Sequence, residues 1–303
     1  MPRMSRRPPQ RAPRAHGVAA SVAIALIAAA GAGIPRTAAH AATAAADDAP
    51  SAAVRSRQAE TDPKSTFRAL ELDIREAAPP TGYATFHNSG SAVLHISVVT
   101  DDGGALVDGR PRIDPATDRA VRYPRHSDSN APHAIIQIVD RRGDDNLDPG
   151  LQPFRFGADF NLDKVSEDAG PGGRDNGDNL IQRGLFDQQS QYKIQLDHRI
   201  ATCRVKGSLG AVSVSSSVQP APGVWYRVRC IRQDDQLTIV VTRWQNGLPT
   251  SLRQSASGPI GVVSPARRTI PVSIGGKLAR RGVIDAASDQ FNGRIDNVVI
   301  RVG

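Results

Sequence analysis

NLIQRG (179–184), QYKIQL (191–196), TCRV (202–205) and VWYRVRCI (224–231) follow one another closely, and they contain both cysteines of the chain, Cys203 and Cys230. Each run alternates apolar and polar residues with the period of a β-strand. Tyr192, Ile194 and Leu196 share one face; so do Cys203 and Val205; so do Val224, Tyr226, Val228 and Cys230. Both sulfurs therefore fall on apolar strand faces, where neighbouring strands bring them within bonding reach. This pattern predicts an exported β-sandwich stapled once.

The N-terminal residues carry the expectation of export. Residues 1–41 hold six arginines and no acid, followed by an Ala/Gly-rich apolar run from Val18 to Ile34 and a small-x-small cleavage signal at Ala39-His40-Ala41. The run is too weak for a span of about 20 strongly apolar residues, so no stable membrane insertion is expected after cleavage. Ser5-Arg6-Arg7 hints at twin-arginine export, but Pro8-Pro9 interrupts the pattern, and the route stays open. The formal charge of +8 comes mostly from this leader, since removing six of the 38 basic residues leaves 32 against 30 acidic ones. The remaining basic residues are interspersed with acids, which argues against a nucleic-acid partner. Outside the cell two cysteines most simply form one disulfide, contributing about 3–4 kcal/mol for a loop of this size. The alternative, a catalytic cysteine paired with a histidine such as His198, needs a free thiol that oxidation would consume.

Residues 42–65 are Ala-rich and polar, as in a linker. From residue 66 to 303, strand-like runs recur between Gly, Pro, Asp and Asn: FRALELDI, AVLHISVV, HAIIQIVD, FRFGADFNL, LIQRG, YKIQL, TCRV, VSVSSSV, VWYRVRCI, LTIVVTRW, TIPVSIG and RIDNVVIRV. No helical periodicity competes with them. The pattern predicts one all-β domain, a large sandwich or barrel, rather than two sandwiches meeting near Asp148-Pro149-Gly150.

The order of these motifs, closing on Phe291-Asn292-Gly293-Arg294-Ile295-Asp296-Asn297-Val298, with Leu147-Asp148-Pro149-Gly150 and Ile274-Gly275-Gly276 between, resembles the actinobacterial secreted laminin-G-like domains of the concanavalin A-like lectin/glucanase superfamily. The resemblance implies a jelly-roll of two packed antiparallel sheets. It also implies a non-enzymatic module binding carbohydrate or another extracellular surface ligand, or a structural or adhesion module of the cell envelope.

That superfamily includes enzymes. Glu71-Leu72-Asp73-Ile74-Arg75-Glu76 resembles the Glu-x-Asp-x-x-Glu signature of family 16 glycoside hydrolases, which would make Glu71 the nucleophile, Asp73 its assistant and Glu76 the acid/base. Against this, Leu70, Leu72 and Ile74 alternate with Glu71, Asp73 and Arg75 as on any strand with one solvated face. The motif also opens the folded region, whereas in the hydrolases it lies well inside. The 13 Phe, Tyr and Trp of the whole chain are few for a polysaccharide cleft. The expected reading is a solvated strand and no catalytic site.

Among the other polar residues, Asp296 shares a face with Val298 and Ile300 and is expected to be buried, accepting hydrogen bonds or ligating a structural calcium ion. The loop ending Asp175-Asn176-Gly177-Asp178 offers further oxygen donors, so Asp175 and Asp178 are the other candidate calcium ligands. Asp144 to Asp148 lacks the glycine of an EF-hand loop. Seven scattered histidines offer no paired zinc spacing, and no Gly-x-Ser-x-Gly or phosphate-loop motif occurs. Trp225 lies on the face of its strand that carries Arg227 and Arg229, and Trp244 ends a strand at an Asn-Gly turn. These four residues are the candidate ligand surface, with the tryptophans available to stack on a sugar ring.

Overall fold

The computed structural model describes residues 70–75, 85–109, 120–127, 132–140, 147–164, 178–245, 247–265, 270–285 and 288–303. The leader and linker expected over residues 1–65 lie outside them, as do Glu76 and Asp175. Among the described residues, sixteen strands follow in chain order: β1 Leu70–Arg75, β2 Thr85–Asn88, β3 Leu94–Asp101, β4 Val107–Gly109, β5 Ala120–Arg122, β6 His133–Asp140, β7 Phe154–Leu162, β8 Asp178–Arg183, β9 Gln191–Asp197, β10 Ile200–Lys206, β11 Ala211–Ser215, β12 Trp225–Gln233, β13 Gln236–Gln245, β14 Leu248–Ser257, β15 Val272–Ile274 and β16 Gly293–Val302. A single 3-10 turn, Arg280–Gly282, is the only helical element among the described residues.

The strands form a jelly-roll sandwich of two antiparallel sheets. The larger runs β14-β13-β12-β7-β16-β1-β2; β5 pairs with the first part of β16 on the edge that β1 occupies further along, and β4 follows β5. The smaller runs β11-β10-β9-β8-β15-β6-β3. Strands from both halves of the chain share each sheet, so there is one sandwich, not two.

The period of two explains the core. Phe154, Phe156, Ala158, Phe160 and Leu162 of β7 point inward with Tyr226, Val228 and Cys230 of β12, against Tyr192, Ile194, Cys203 and Val205 of the facing sheet. Phe156 and Tyr192 meet across the sheets with ring centroids 5.1 Å apart. Buried, Tyr192 donates from its hydroxyl to the Leu147 carbonyl at 3.1 Å.

Cys203 and Cys230 form a disulfide, with Cα atoms 5.8 Å apart. The expected link between neighbouring strands needs correction: β10 and β12 belong to different sheets, and the bridge crosses the interior. Inward faces of opposite sheets confront one another, so the alternation that places both sulfurs inward fits a cross-sheet bond as well as a lateral one. Sheets pack about 10 Å apart. A 5.8 Å separation therefore marks where the sandwich narrows, with β10 and β11 lying against β13 and β14. The crossover that carries the chain from the smaller sheet to the larger, residues 216–224, lies between the two cysteines.

The motifs that carried the resemblance prove to be structural ties. Asp148 of the Leu-Asp-Pro-Gly run makes a buried 2.6 Å ion pair with Arg183 of Asn179–Gly184. Gly150 exchanges two 2.9 Å backbone hydrogen bonds with Val263. Gly275 has a φ of +79°, and a Cβ built there would lie 1.9 Å from the Tyr123 ring, so only glycine fits. The Tyr123 hydroxyl donates to the adjacent Ile274 carbonyl at 3.0 Å.

Candidate functional site

The outward face of the larger sheet gathers most of the predicted ligand residues. With core residues inward on β12, Trp225, Arg227 and Arg229 face out; with phenylalanines inward on β7, Gly157, Asp159 and Asn161 face out. Register sets Arg227 opposite Asp159 and Arg229 opposite Gly157, while β16 sets Asp296 on the other side of Asp159.

Asp159 is the centre of the cluster, its side chain fully buried. Arg227 grips it with a fork: Nε donates to Oδ1 at 2.7 Å and Nη2 to Oδ2 at 3.1 Å. Asn297 Nδ2 adds a 3.1 Å bond to Oδ2, and Arg229 Nη2 stands 3.6 Å from Oδ1. A bulge between Asp296 and Val299, with Asn297 at a φ of +48°, sets the amide at this position. Gly157 makes room for Arg229, since a Cβ there would lie 2.6 Å from the arginine Cδ. Taking a carboxylate out of water is costly unless it is paired and hydrogen-bonded, and these partners meet that cost.

The partnership fixes Arg227, and Arg227 in turn lies on an aromatic ring. Its guanidinium carbon is 5.3 Å from the centroid of Trp244 on β13. Both groups are partly accessible. Beside them runs the exposed edge strand β14, tied to β13 by two hydroxyl pairs on this face, Thr242 with Ser251 at 2.7 Å and Thr238 with Ser255 at 2.8 Å. At the other end of the face a cavity of about 220 Å³ is lined by Arg155, Ile231 and Arg301 among others. That is below the usual size of an enclosed small-molecule site, about 300–1,000 Å³. The face as a whole has the chemistry of an open surface: a planar ring, a locked cation and hydroxyls.

The structure brings Arg227, Arg229 and Trp244 into one neighbourhood, with Trp225 two residues along β12 and opposite Asn161. It does not do the same for the calcium candidates. Asp296 is buried on the outward face of the larger sheet, where its Oδ1 accepts the Asn297 N–H at 2.7 Å. Asp178 begins β8 of the smaller sheet, opposite Leu196. On β1, Glu71 pairs with Val299 and Asp73 with His87, and their supposed acid/base partner Glu76 lies outside the described residues. His198 sits on an exposed turn beside Asp197, and neither cysteine is free. Asp159 went unread in the sequence. Its one signal was a lone acid on the non-aromatic face of the FRFGADFNL strand.

No protein-family model matches the chain, and no curated protein matches its sequence. Solved structures do match. The binding domain of botulinum neurotoxin serotype G aligns over 77% of this chain and 47% of its own, at 9% identity and a TM-score of 0.49. The LG1-3 region of the laminin alpha2 chain aligns over 72% of this chain and 35% of its own, at 12% identity and a TM-score of 0.39. Domains LG4-5 of the mouse laminin alpha1 chain align over 49% of this chain and 35% of their own, at 11% identity and a TM-score of 0.35. The chain thus spans about half or less of the length of these structures. Among the described residues, no helix is long and apolar enough to cross a membrane.

Proposed function

We propose that this chain is an extracellular, non-enzymatic binding module, and that the Arg227–Trp244 surface is where it holds a carbohydrate. The observation that carries the reading is the preorganised pair itself. Asp159 locks the Arg227 fork, and the locked guanidinium lies on Trp244 beside the hydroxyls of β14. A ring and a fixed donor set side by side offer a sugar both stacking and hydrogen bonding, without the entropy of arranging long side chains on binding. The disulfide supports an oxidising compartment.

The test is a glycan array on the mature protein with and without calcium, followed by titration of any hit against Trp244→Ala and Arg227→Lys. Lysine keeps the charge and loses the fork. Both variants are expected to weaken binding by about tenfold or more, as residues central to a contact do. A hit whose affinity ignores both substitutions would move the site elsewhere. Silence of the array under both conditions would leave the cell-envelope structural module as the better reading. Loss of binding on chelation would support a calcium ion held through Asp296, Asp175 or Asp178. Release of reducing sugar from a bound glycan would revive the hydrolase built on Glu71, Asp73 and Glu76.

A further inference from the structure

A second group of polar side chains meets on the smaller sheet, where β3 ends in a tight turn against the start of β6. Asp101, the last residue of β3, pairs in register with His133, the first of β6. The chain turns at Asp102 and Gly103, both at positive φ, and Gly104 N–H returns to the Asp101 carbonyl at 3.0 Å. Gly104 lets that turn lie against the histidine, because a Cβ there would fall 1.8 Å from the His133 carbonyl oxygen. The result is a compact set of donors: a carboxylate oxygen of Asp101, one of Asp102 and a ring nitrogen of His133 all lie within 4.8 Å of one another. Asp101 Oδ1 also accepts the Asp102 N–H at 3.0 Å.

The histidine is the telling member. His133 is only 5% exposed, yet neither Nδ1 nor Nε2 has a hydrogen-bond partner. Buried polar groups are ordinarily satisfied, and an imidazole has two nitrogens to satisfy. An orphaned ring beside two solvent-facing carboxylates is an arrangement that a cation completes.

We propose that Asp101, Asp102 and His133 bind a divalent transition-metal ion, with zinc as the reference ion. An imidazole nitrogen suits such ions, whereas calcium is a hard cation bound by oxygen ligands. Zinc bonds to imidazole nitrogen and carboxylate oxygen are about 2.0–2.2 Å long, so the donors need to draw together modestly. The two aspartates are exposed and their side chains are able to make that adjustment. Two carboxylates and a neutral imidazole balance the charge of the ion. Three protein ligands leave a position for water or for a donor atom of another molecule. The site stands on a different sheet from the Arg227–Trp244 surface and does not depend on that reading.

The test uses tag-free full-length protein, titrated calorimetrically with zinc and, separately, with cobalt followed by visible absorption. The expected result is one equivalent of zinc bound at micromolar concentration and cobalt d–d bands of a nitrogen-containing site. His133→Ala should abolish both, while Asp102→Asn, an exposed change, should weaken zinc binding at least tenfold. The other histidines remain in both variants and serve as the internal control. If His133→Ala fails to fold, the Asp101→Asn/Asp102→Asn double variant decides, and it must lose zinc. No zinc binding by the wild type, or binding that survives these substitutions, overturns the proposal. So does calcium binding as tightly as zinc at the same residues.

Discussion

Arg232 shows how much one side chain organises here. Only 2% exposed, it donates to three backbone carbonyls: Asp234 at 2.7 Å from Nε, Gly150 at 3.0 Å from Nη1 and Gly261 at 3.0 Å from Nη2. Burial lowers its pKa from the usual guanidinium value, with Asp235 and Asp234 pulling the other way. Arg232→Lys keeps one cation but cannot span three carbonyls, so it should cost about 2–4 kcal/mol in urea unfolding. A loss below about 0.5 kcal/mol would mean that the loops hold without it. Asp148→Asn should be comparable, at about 3–5 kcal/mol, because it strands Arg183 inside the fold. At this scale the sequence was only partly legible. Alternation alone put the cysteines inward and Arg227 outward. The roles of Asp159, Arg232 and His133 depend on which strand lies next door, and one chain read by itself does not state register.

At the scale of elements, each of the twelve runs read as strands contains one, and wherever their side chains are described an apolar face meets the core. Four strands escaped: β2, β4, β5 and β14. Three of them are only three or four residues long. The fourth, β14, is ten residues long, but its sequence LPTSLRQSAS has no apolar alternation. It is an exposed edge strand that packs little, so composition had no burial to record. Pro249 and Arg253 on such an edge are the residues that discourage another strand from adding to it. The double variant Pro249→Val/Arg253→Val should therefore self-associate in a concentration-dependent way by light scattering, with its monomeric stability nearly unchanged. A strictly monomeric variant would show that the twist of the sheet protects the edge by itself.

For the whole molecule, two conditions should loosen the sandwich. Reducing Cys203–Cys230 should lower stability by about 3 kcal/mol, or about 6–12 °C in Tm for a domain of this size. Raising the pH should act through the tyrosines. Burial pushes Tyr192 up to about 12 from its ordinary 10.0, and lifts Tyr123 well above that ordinary value. Folded, these phenols hold their protons where the unfolded chain would lose them. Their stabilising effect is complete below pH 10 and falls as pH rises towards 12, by roughly 2–3 kcal/mol for Tyr192 alone. Absorbance at 295 nm should show the buried phenols ionising together with loss of the β-sheet circular dichroism signal; ionisation well before unfolding would contradict their burial. The cross-sheet bond has a last consequence, for the chain's tolerance of being cut. Residues 216–224 are bracketed by the two cysteines, so a protease clipping that crossover would open a covalent ring without releasing either piece. The nicked protein would migrate as one species until a reductant is added, and only then as two.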